Sequence, residues 1–152
     1  MTEFENTFID SNNLLRGRIA SVDEVEELKR KFKDLYPSYL INVILKSRVI
    51  GESFSLSYEY DQSEMGVELE WMTPKSQIEE CFSNYPGISA LKLGFIPVGI
   101  CLEGSGDPYF INTNDKEPKL YRVPHDSVVE DSISIDQIEY VCELKNLIKH
   151  LA

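Results

Sequence analysis

Cys101 and His125 are the residues of this sequence best suited to covalent chemistry. A thiol becomes a strong nucleophile when a neighbouring imidazole takes its proton, and a carboxylate such as Asp107 or Asp126 could orient that imidazole. However, Cys101 lies in an apolar run in which no neighbouring residue indicates a lowered thiol pKa. His125 lies between Pro124 and Asp126, a pattern typical of a polar loop. We therefore expect no catalytic residues, and a hydrolase that uses Cys101 and His125 stays as an alternative.

A glycine-rich segment, Gly104-Ser-Gly-Asp107, follows a strand pattern and must be compared with phosphate-binding loops. Such loops continue into a helix, with Lys-Ser or Lys-Thr in the P-loop and a third glycine in dinucleotide-binding proteins. Here the next residues, 108–112, have the pattern of a strand instead. Gly104 and Gly106 are therefore predicted to shape a tight turn between two strands, and no nucleotide is expected.

The three cysteines, Cys81, Cys101 and Cys142, are far apart in the sequence, which has only two histidines. Neither a C-x-x-C pair nor the usual Cys/His spacing of a zinc site occurs. We expect no disulfide, no metal site, no cofactor and a reducing compartment. Pairs of carboxylates such as Glu68 with Glu70 are too common among 26 acidic residues to indicate catalysis.

The excess of acidic residues is concentrated in one part of the chain. The 152 residues include 26 acidic and 15 basic side chains, which gives a net charge of −11. Residues 1–48 hold eight of each sign, whereas residues 49–152 hold 18 acidic and seven basic residues. Such a chain is not expected to bind nucleic acid, but its local negative field could attract a basic protein. That the acidic surface serves only solubility stays open.

The composition also predicts where the chain is located. No apolar run approaches the ~18–20 residues of a membrane-spanning helix, and the acidic start Met-Thr-Glu-Phe-Glu lacks the pattern of a signal peptide. We therefore expect no membrane contact and a cytoplasmic location. Hydrophobic residues at 42% predict a packed globular protein, and the length favours one domain.

Capping signals predict the helices of the first half of the chain. Ser21 and Glu24 form a capping box, in which each side chain accepts a hydrogen bond from the backbone N–H of the other residue. The apolar spacing that follows indicates an amphipathic helix, and a second helix is expected over residues 38–46. Residues 1–20 show no sustained period, and we treat them as an N-terminal extension of open structure before a domain of residues 21–152.

Two further helices are expected in the second half. Thr73-Pro74 is a good N-cap followed by proline in the first helical turn, and that helix should end near residue 84. Ser134 and Gln137 form another capping box, and the apolar stripe over residues 138–151 predicts a closing amphipathic helix.

Alternation of apolar and polar side chains predicts an antiparallel sheet. Its first two strands form a hairpin whose outer face would display Glu68 and Glu70. Together these elements predict a single α+β domain, with a largely antiparallel sheet flanked by N-terminal helices, a middle helix and a C-terminal helix. The five strands are expected at residues 54–60, 67–71, 95–102, 108–112 and 119–123.

The segment Gly94-Phe-Ile-Pro-Val-Gly-Ile-Cys-Leu-Glu-Gly-Ser-Gly-Asp-Pro-Tyr-Phe-Ile-Asn112 resembles the signature of the SMI1/KNR4-like domain of the SUKH superfamily. That signature combines an Ile-Pro-Ile-Gly-type strand, a small-residue turn with Gly-Asp and an aromatic strand. The resemblance extends over roughly residues 21–152. Its other parts are Glu26–Leu28, Leu35–Leu40, Gly66–Pro74, Ile78–Glu80 and Leu120–Asp126.

This resemblance implies a non-enzymatic protein. Bacterial members are typically immunity proteins that bind a cognate toxin, often a nuclease, and block it, whereas fungal relatives are interaction modules in cell-wall regulation. The expected function is therefore that of an immunity protein that occludes the basic cleft of a toxin sterically and electrostatically. A protein-interaction or regulatory module of the same fold, without a toxin partner, is the alternative.

The acidic face of the sheet and the turn at residues 104–107 are the surface expected to bind the toxin. Gly104 and Gly106 would shape the turn without touching the partner. The residues predicted to make contact are Glu68, Glu70, Glu103, Asp107, Tyr109 and, at the rim, Asp115.

Overall fold

A six-stranded antiparallel sheet carries the fold, and a short two-stranded hairpin accompanies it. The computed structural model describes residues 1–103 and 106–152. It confirms the expected single α+β domain. In the order in which they pair, the sheet strands are β1 Ser53–Leu56, β2 Val67–Trp71, β3 Phe95–Cys101, β4 Tyr109–Asn112, β5 Lys119–Arg122 and β8 Glu139–Glu143, and the hairpin consists of β6 Val128–Val129 and β7 Ser132–Ile133.

Two helices begin where the capping signals at Ser21 and Thr73 predict. Ser21 Oγ accepts from the N–H of Glu24 at 3.1 Å, and Glu24 Oε1 accepts from the N–H of Ser21 at 3.0 Å. Thr73 Oγ1 accepts from the N–H of Ser76 at 3.1 Å. The α-helices are α1 Glu3–Asp10, α2 Val22–Phe32, α3 Ser38–Lys46, α4 Pro74–Ser83 and α5 Gly87–Leu91. No helix in the described ranges is long and apolar enough to cross a membrane.

Residues 1–20 contribute to the hydrophobic core of the domain. Thr2 starts α1 with a capping box of its own, in which Glu5 Oε1 accepts from the N–H of Thr2 at 2.9 Å. Phe4 and Phe8, one helical turn apart, are fully buried in the same core cluster as the sheet residues. The expected division between an extension of residues 1–20 and a domain of residues 21–152 is therefore corrected, because the boundary at residue 20 would divide a continuous core.

The expected C-terminal helix is present but shorter than the predicted stretch of residues 138–151, and the prediction is wrong for the first part of that stretch. β8 occupies this first part and pairs with β5, with Cys142 opposite Leu120, and Leu144–His150 forms a 3-10 helix. Within the described part of the chain, Ser134 makes no side-chain cap hydrogen bond. The Ile, Tyr and Val residues of this stretch favour strands, and the edge of β5 supplies the backbone partners that complete a ladder.

The last residues of the chain return to the first strand. Leu151 forms a bridge to Phe54, and the N–H of Ala152 donates to the carbonyl of Ser53 at 3.0 Å. The 3-10 helix Leu144–His150 therefore connects the two outer strands, β8 and β1, across a curled sheet.

The antiparallel register places two groups of loops at opposite ends of the strands. Because β2 runs antiparallel to both β1 and β3, the loop of residues 57–66 and the turn that follows Cys101 lie at the same end. We call this the acidic end. Helices α4 and α5 and the turn of residues 113–118 lie at the other end, which we call the groove end.

Candidate functional site

Glu68 and Glu70 lie on the outer face of β2, as expected, and both are partly exposed. The hydroxyl of Ser55, at the facing position of β1, donates to the carboxylate of Glu68. Glu103 is exposed just after β3. The N–H of Leu102 donates to the carbonyl of Glu68 at 2.9 Å. Glu68 and Glu103 are thus brought close together at the acidic end.

Tyr109 is buried and cannot contact a partner from this position. Its exposed fraction is 2%, and its hydroxyl accepts from Nη2 of Arg122 at 3.2 Å. Burial raises the pKa of Tyr109 to about 12. The prediction that Tyr109 binds a partner is therefore corrected. Both faces of β4 are covered by other parts of the molecule, so neither face presents Tyr109 to solvent.

Asp107 closes the turn between β3 and β4. Its side chain is 12% exposed. Its Oδ1 accepts from the backbone N–H of His125 at 3.0 Å and also contacts the ring Nδ1. This hydrogen bond and the negative charge of Asp107 raise the pKa of His125. Gly106 has a φ of +69°, which favours glycine in a tight turn, whereas Gly104 lies outside the described residues.

Asp115 belongs to the other end of the molecule. It lies in the turn between β4 and β5, where its Oδ2 accepts from the hydroxyl of Tyr121 at 2.8 Å. Since Glu68 and Glu103 lie at the acidic end, the expected rim residue is not continuous with them. The six predicted residues therefore do not form one surface.

The cysteine and histidine of the alternative hydrolase have other partners. The thiol of Cys101 donates to the carbonyl of Glu103 at 3.5 Å, while Asp107 occupies Nδ1 of His125. Cys142 is a separate cysteine that is buried in the core. Burial raises the pKa of its thiol to about 12, so this thiol is protonated at neutral pH. Among residues 1–103 and 106–152, no group of three or more His, Cys, Asp and Glu side chains is placed to hold a metal ion.

Two tyrosines and a methionine are exposed on the loop of residues 57–66. The first strand, expected over residues 54–60, ends at Leu56, and Tyr58–Tyr60 forms a 3-10 turn. The strand therefore stops before the two tyrosines. Tyr58 is 70% exposed, Tyr60 54% and Met65 62%. The carboxylates of Glu59 and Glu64 lie among them in the chain. This loop combines large apolar side chains with negative charge at one place on the surface.

Asp61 organises this loop from inside. Its side chain is fully buried. Oδ1 accepts from the backbone N–H and the hydroxyl of Ser63 at 2.7 and 2.6 Å, and Oδ2 accepts from the N–H of Met65 at 3.3 Å. An aspartate that bonds the backbone two residues on stabilises a turn. The backbone that presents Tyr60 and Glu64 is therefore fixed by a buried carboxylate.

Arg122 anchors the same loop to the sheet. Its Nη2 donates to the carbonyl of Gly66 at 2.9 Å and lies 3.6 Å from Oδ2 of Asp61. The guanidinium also lies 5.4 Å from the ring centre of Tyr109, which permits a cation–π interaction. A further tie comes from the N–H of Gln62, which donates to the carbonyl of Val141 on β8 at 2.8 Å.

A cavity of about 440 Å³ opens on the outer side of the loop. Its lining combines the ring of Tyr58 with the exposed carboxylates of Glu59 and Glu64, a set that suits a guanidinium or ammonium group. Because the loop is held in place before a ligand arrives, little ordering cost remains for binding. The lining residues are Tyr58, Glu59, Asp61, Gln62 and Glu64.

The sequence contained part of the signal for this site. Asp61, followed two residues later by Ser63, is a known turn pattern, and it indicates that the strand cannot continue through Tyr60. The role of Arg122 had no local signal, because its partners Asp61 and Gly66 are more than 50 residues away in the chain.

Comparison of the chain with protein-family models, with curated proteins and with solved structures gives no match in any of the three. The geometry of the acidic end and the residues of the sequence therefore carry the functional argument.

Proposed function

We propose that this chain is a cytoplasmic immunity protein of the SUKH type, which binds a cognate bacterial toxin and occludes its basic active-site cleft. A nuclease is the toxin class that best suits the proposal, because its cleft must attract phosphate. The observation that carries the proposal is the loop of residues 57–66, where exposed aromatic side chains stand among carboxylates on a backbone fixed from within.

The composition of this loop is that of an interface anchor. Tyrosine is enriched among the residues that dominate binding energy, and methionine is enriched at interfaces generally. Tyr58, Tyr60 and Met65 are each more than half exposed, so they have apolar surface to bury against a partner. The sequence resemblance, which extends over roughly residues 21–152 and is most distinctive at residues 94–110, supports the same class of function.

Charge gives the loop its preference for a basic partner. Glu59 lies between the two tyrosines and Glu64 follows them in the loop. Glu68 and Glu103 extend the negative surface along the same end of the sheet. A field of one sign raises the association rate with an oppositely charged cleft, and it weakens as salt rises. A lysine or arginine of the toxin would enter the cavity beside Tyr58, and the surrounding loop would block access of the substrate.

A regulatory module without a toxin would use the same surface on a different basic protein. The two hypotheses differ in genomic context: a toxin reading frame beside this gene favours the immunity protein, and an isolated gene favours the regulatory module. The interaction chemistry proposed for the acidic end is common to both.

Co-expression with the neighbouring toxin tests the proposal. The double variant Tyr58→Ser/Tyr60→Ser should weaken toxin binding about 30-fold or more, the loss of about 2 kcal/mol expected at a hot spot, and should abolish protection. Glu59→Lys/Glu64→Lys should act in the same direction. Binding is measured by isothermal titration calorimetry and protection by growth.

Two matched variants serve as controls. Tyr85→Ser removes a tyrosine of similar exposure from the segment between α4 and α5, and Glu26→Lys reverses an exposed charge on α2. Both should retain full protection. If the Tyr58/Tyr60 and Glu59/Glu64 variants fold and protect as well as these controls do, the acidic end is not the toxin-binding surface.

A further inference from the structure

A second recognition surface lies at the groove end. We propose that the apolar groove between α4, α5 and the turn of residues 113–118 binds an acidic amphipathic helix of another protein. This proposal does not rest on the toxin-binding function, because it concerns other residues and a partner of opposite charge.

The floor of the groove is apolar and unfilled. The cavity measures about 700 Å³, within the range of sites that hold a ligand or several large side chains. Phe82 of α4 is 43% exposed, and Leu35 is 48% exposed. Leu91 and Leu93 line the groove and pack against two different core clusters. The floor of the groove therefore packs against both hydrophobic core clusters of the molecule.

Lysines border this floor, although the chain as a whole is acidic. Nζ of Lys31 lies 5.9 Å from the ring centre of Phe82, and Lys92 lines the cavity directly. Lys33 is exposed two residues before Leu35, and Asp34 lies between them. Lys92 is the one charged side chain among the described residues that line the cavity, and Lys31 adds a second cation over Phe82. The carboxylates of the bordering turn are already bonded, Asp115 to the hydroxyl of Tyr121 and Glu117 to the backbone N–H groups at the start of α1.

A neighbouring groove provides a natural comparison. Helices α2 and α4 also border a cavity of about 420 Å³ whose floor includes Pro74 and Ile78. Four acidic residues and one lysine line it, namely Asp23, Glu24, Glu27, Glu79 and Lys75. The basic side chains in the last turn of α2 also interact favourably with the helix dipole. That interaction needs only their place at the helix terminus, and it does not require Lys31 to lie over Phe82. The two grooves should therefore prefer ligands of opposite charge.

An amphipathic helix is the occupant that satisfies both features of the groove. Helices bind hydrophobic grooves through an apolar stripe at positions i, i+4 and i+7. Glutamates beside that stripe would pair with Lys31 and Lys92, whereas lysines there would be repelled.

The experiment uses two designed helical peptides with the same leucine stripe, one flanked by glutamates and the other by lysines. Binding to the full chain is measured by fluorescence anisotropy and located by backbone amide chemical shifts. We expect the glutamate peptide to shift the amides of residues 81–94. Its Kd should rise at least tenfold in Phe82→Ser and in Lys31→Glu/Lys92→Glu, and it should weaken as salt increases.

Ile78→Ser in the neighbouring groove and Tyr58→Ser at the acidic end should leave that Kd unchanged, and thermal unfolding verifies that every variant is folded. Equal binding of the lysine peptide at residues 81–94, or no effect of Phe82→Ser, would overturn the proposal. So would self-association that Phe82→Ser removes, because the occupant would then be a second copy of the chain. Toxin protection by Lys31→Glu/Lys92→Glu reports separately on the acidic end.

Discussion

The acidic end and the groove end both expose large apolar side chains, but they are built in different ways. At the acidic end the exposed residues lie on a loop whose shape depends on buried polar groups, Asp61 and Arg122. At the groove end Phe82 lies on the regular helix α4, and the apolar side chains of Leu91 and Leu93 line the groove beside it. A loop surface needs internal anchors to keep one conformation, whereas a helical surface needs only packing.

The largest expected effect is the loss of the anchor at the acidic end. Arg122→Met leaves the carboxylate of Asp61 buried without its cation, which should lower the free energy of unfolding by about 3–5 kcal/mol. Urea denaturation at pH 7 measures this change, and amide hydrogen exchange should show faster exchange at Gln62 and Met65.

The matched substitution at the groove end is Lys31→Met, which removes an exposed cation. It should change the free energy of unfolding by no more than about 0.5 kcal/mol. Asp61→Asn added to Arg122→Met should recover part of the loss, because it removes the unpaired charge. Equal destabilisation by Arg122→Met and Lys31→Met would mean that the ion pair does not support the loop.

Charge reversals should change binding much more than stability. Glu59→Lys/Glu64→Lys at the acidic end and Lys31→Glu/Lys92→Glu at the groove end alter exposed side chains, so each should shift the free energy of unfolding by less than about 1 kcal/mol. The first reversal should slow association with a basic partner about tenfold at low salt. Stopped-flow measurements at two salt concentrations test this.

The two reversals change the net charge in opposite directions, which makes the result diagnostic. If the association rate simply followed net charge, the groove-end reversal would speed association with the basic partner as strongly as the acidic-end reversal slows it. A local binding surface requires a much smaller effect from the groove end.

A smaller, pH-dependent effect on the free energy of unfolding is expected at α2, the helix that borders the neighbouring groove with α4. The hydrogen bond from Arg18 lowers the pKa of Glu24 from 4.5 to about 2. The stabilisation is therefore present above pH 4.5 and disappears as the pH falls toward 2. Arg18→Ala should cost about 1 kcal/mol at pH 7, and this difference should vanish near pH 2 in denaturation curves. A difference independent of pH would contradict the role of Glu24.

The acidic end should respond in the opposite direction. Asp107 raises the pKa of His125 above 6.5, so the stabilisation from this pair is fully present below pH 6.5 and is lost as the pH rises through the raised value. NMR titration of the imidazole should give a pKa above 6.5 in the native chain and a lower one in Asp107→Asn. Identical titration curves would show that the pair does not form in solution.

Local signals predicted the parts of the fold that depend on nearby residues. The capping box of Ser21 and Glu24 and the N-cap at Thr73 are confirmed, since a cap involves atoms only three residues apart. The same rule applied to Thr2 and Glu5 would have predicted α1.

Non-local partners decided the parts that the sequence did not predict. The apolar spacing of Val141 and Leu144 fits a helix as well as a strand, and β5 selects the strand by pairing with it. At the candidate site, the acidic residues Glu68, Glu70 and Glu103 lie on the surface as predicted, but the burial of Tyr109 depends on contacts from distant segments.

The return of the chain to β1 also matters for how the molecule behaves at high concentration. An outer strand with unpaired N–H and C=O groups is a template for strand exchange and aggregation between molecules. Leu151 and Ala152 occupy the backbone positions next to Phe54 and Ser53 on that strand. Two residues at the end of the chain thus cover an edge that would otherwise be open to another molecule.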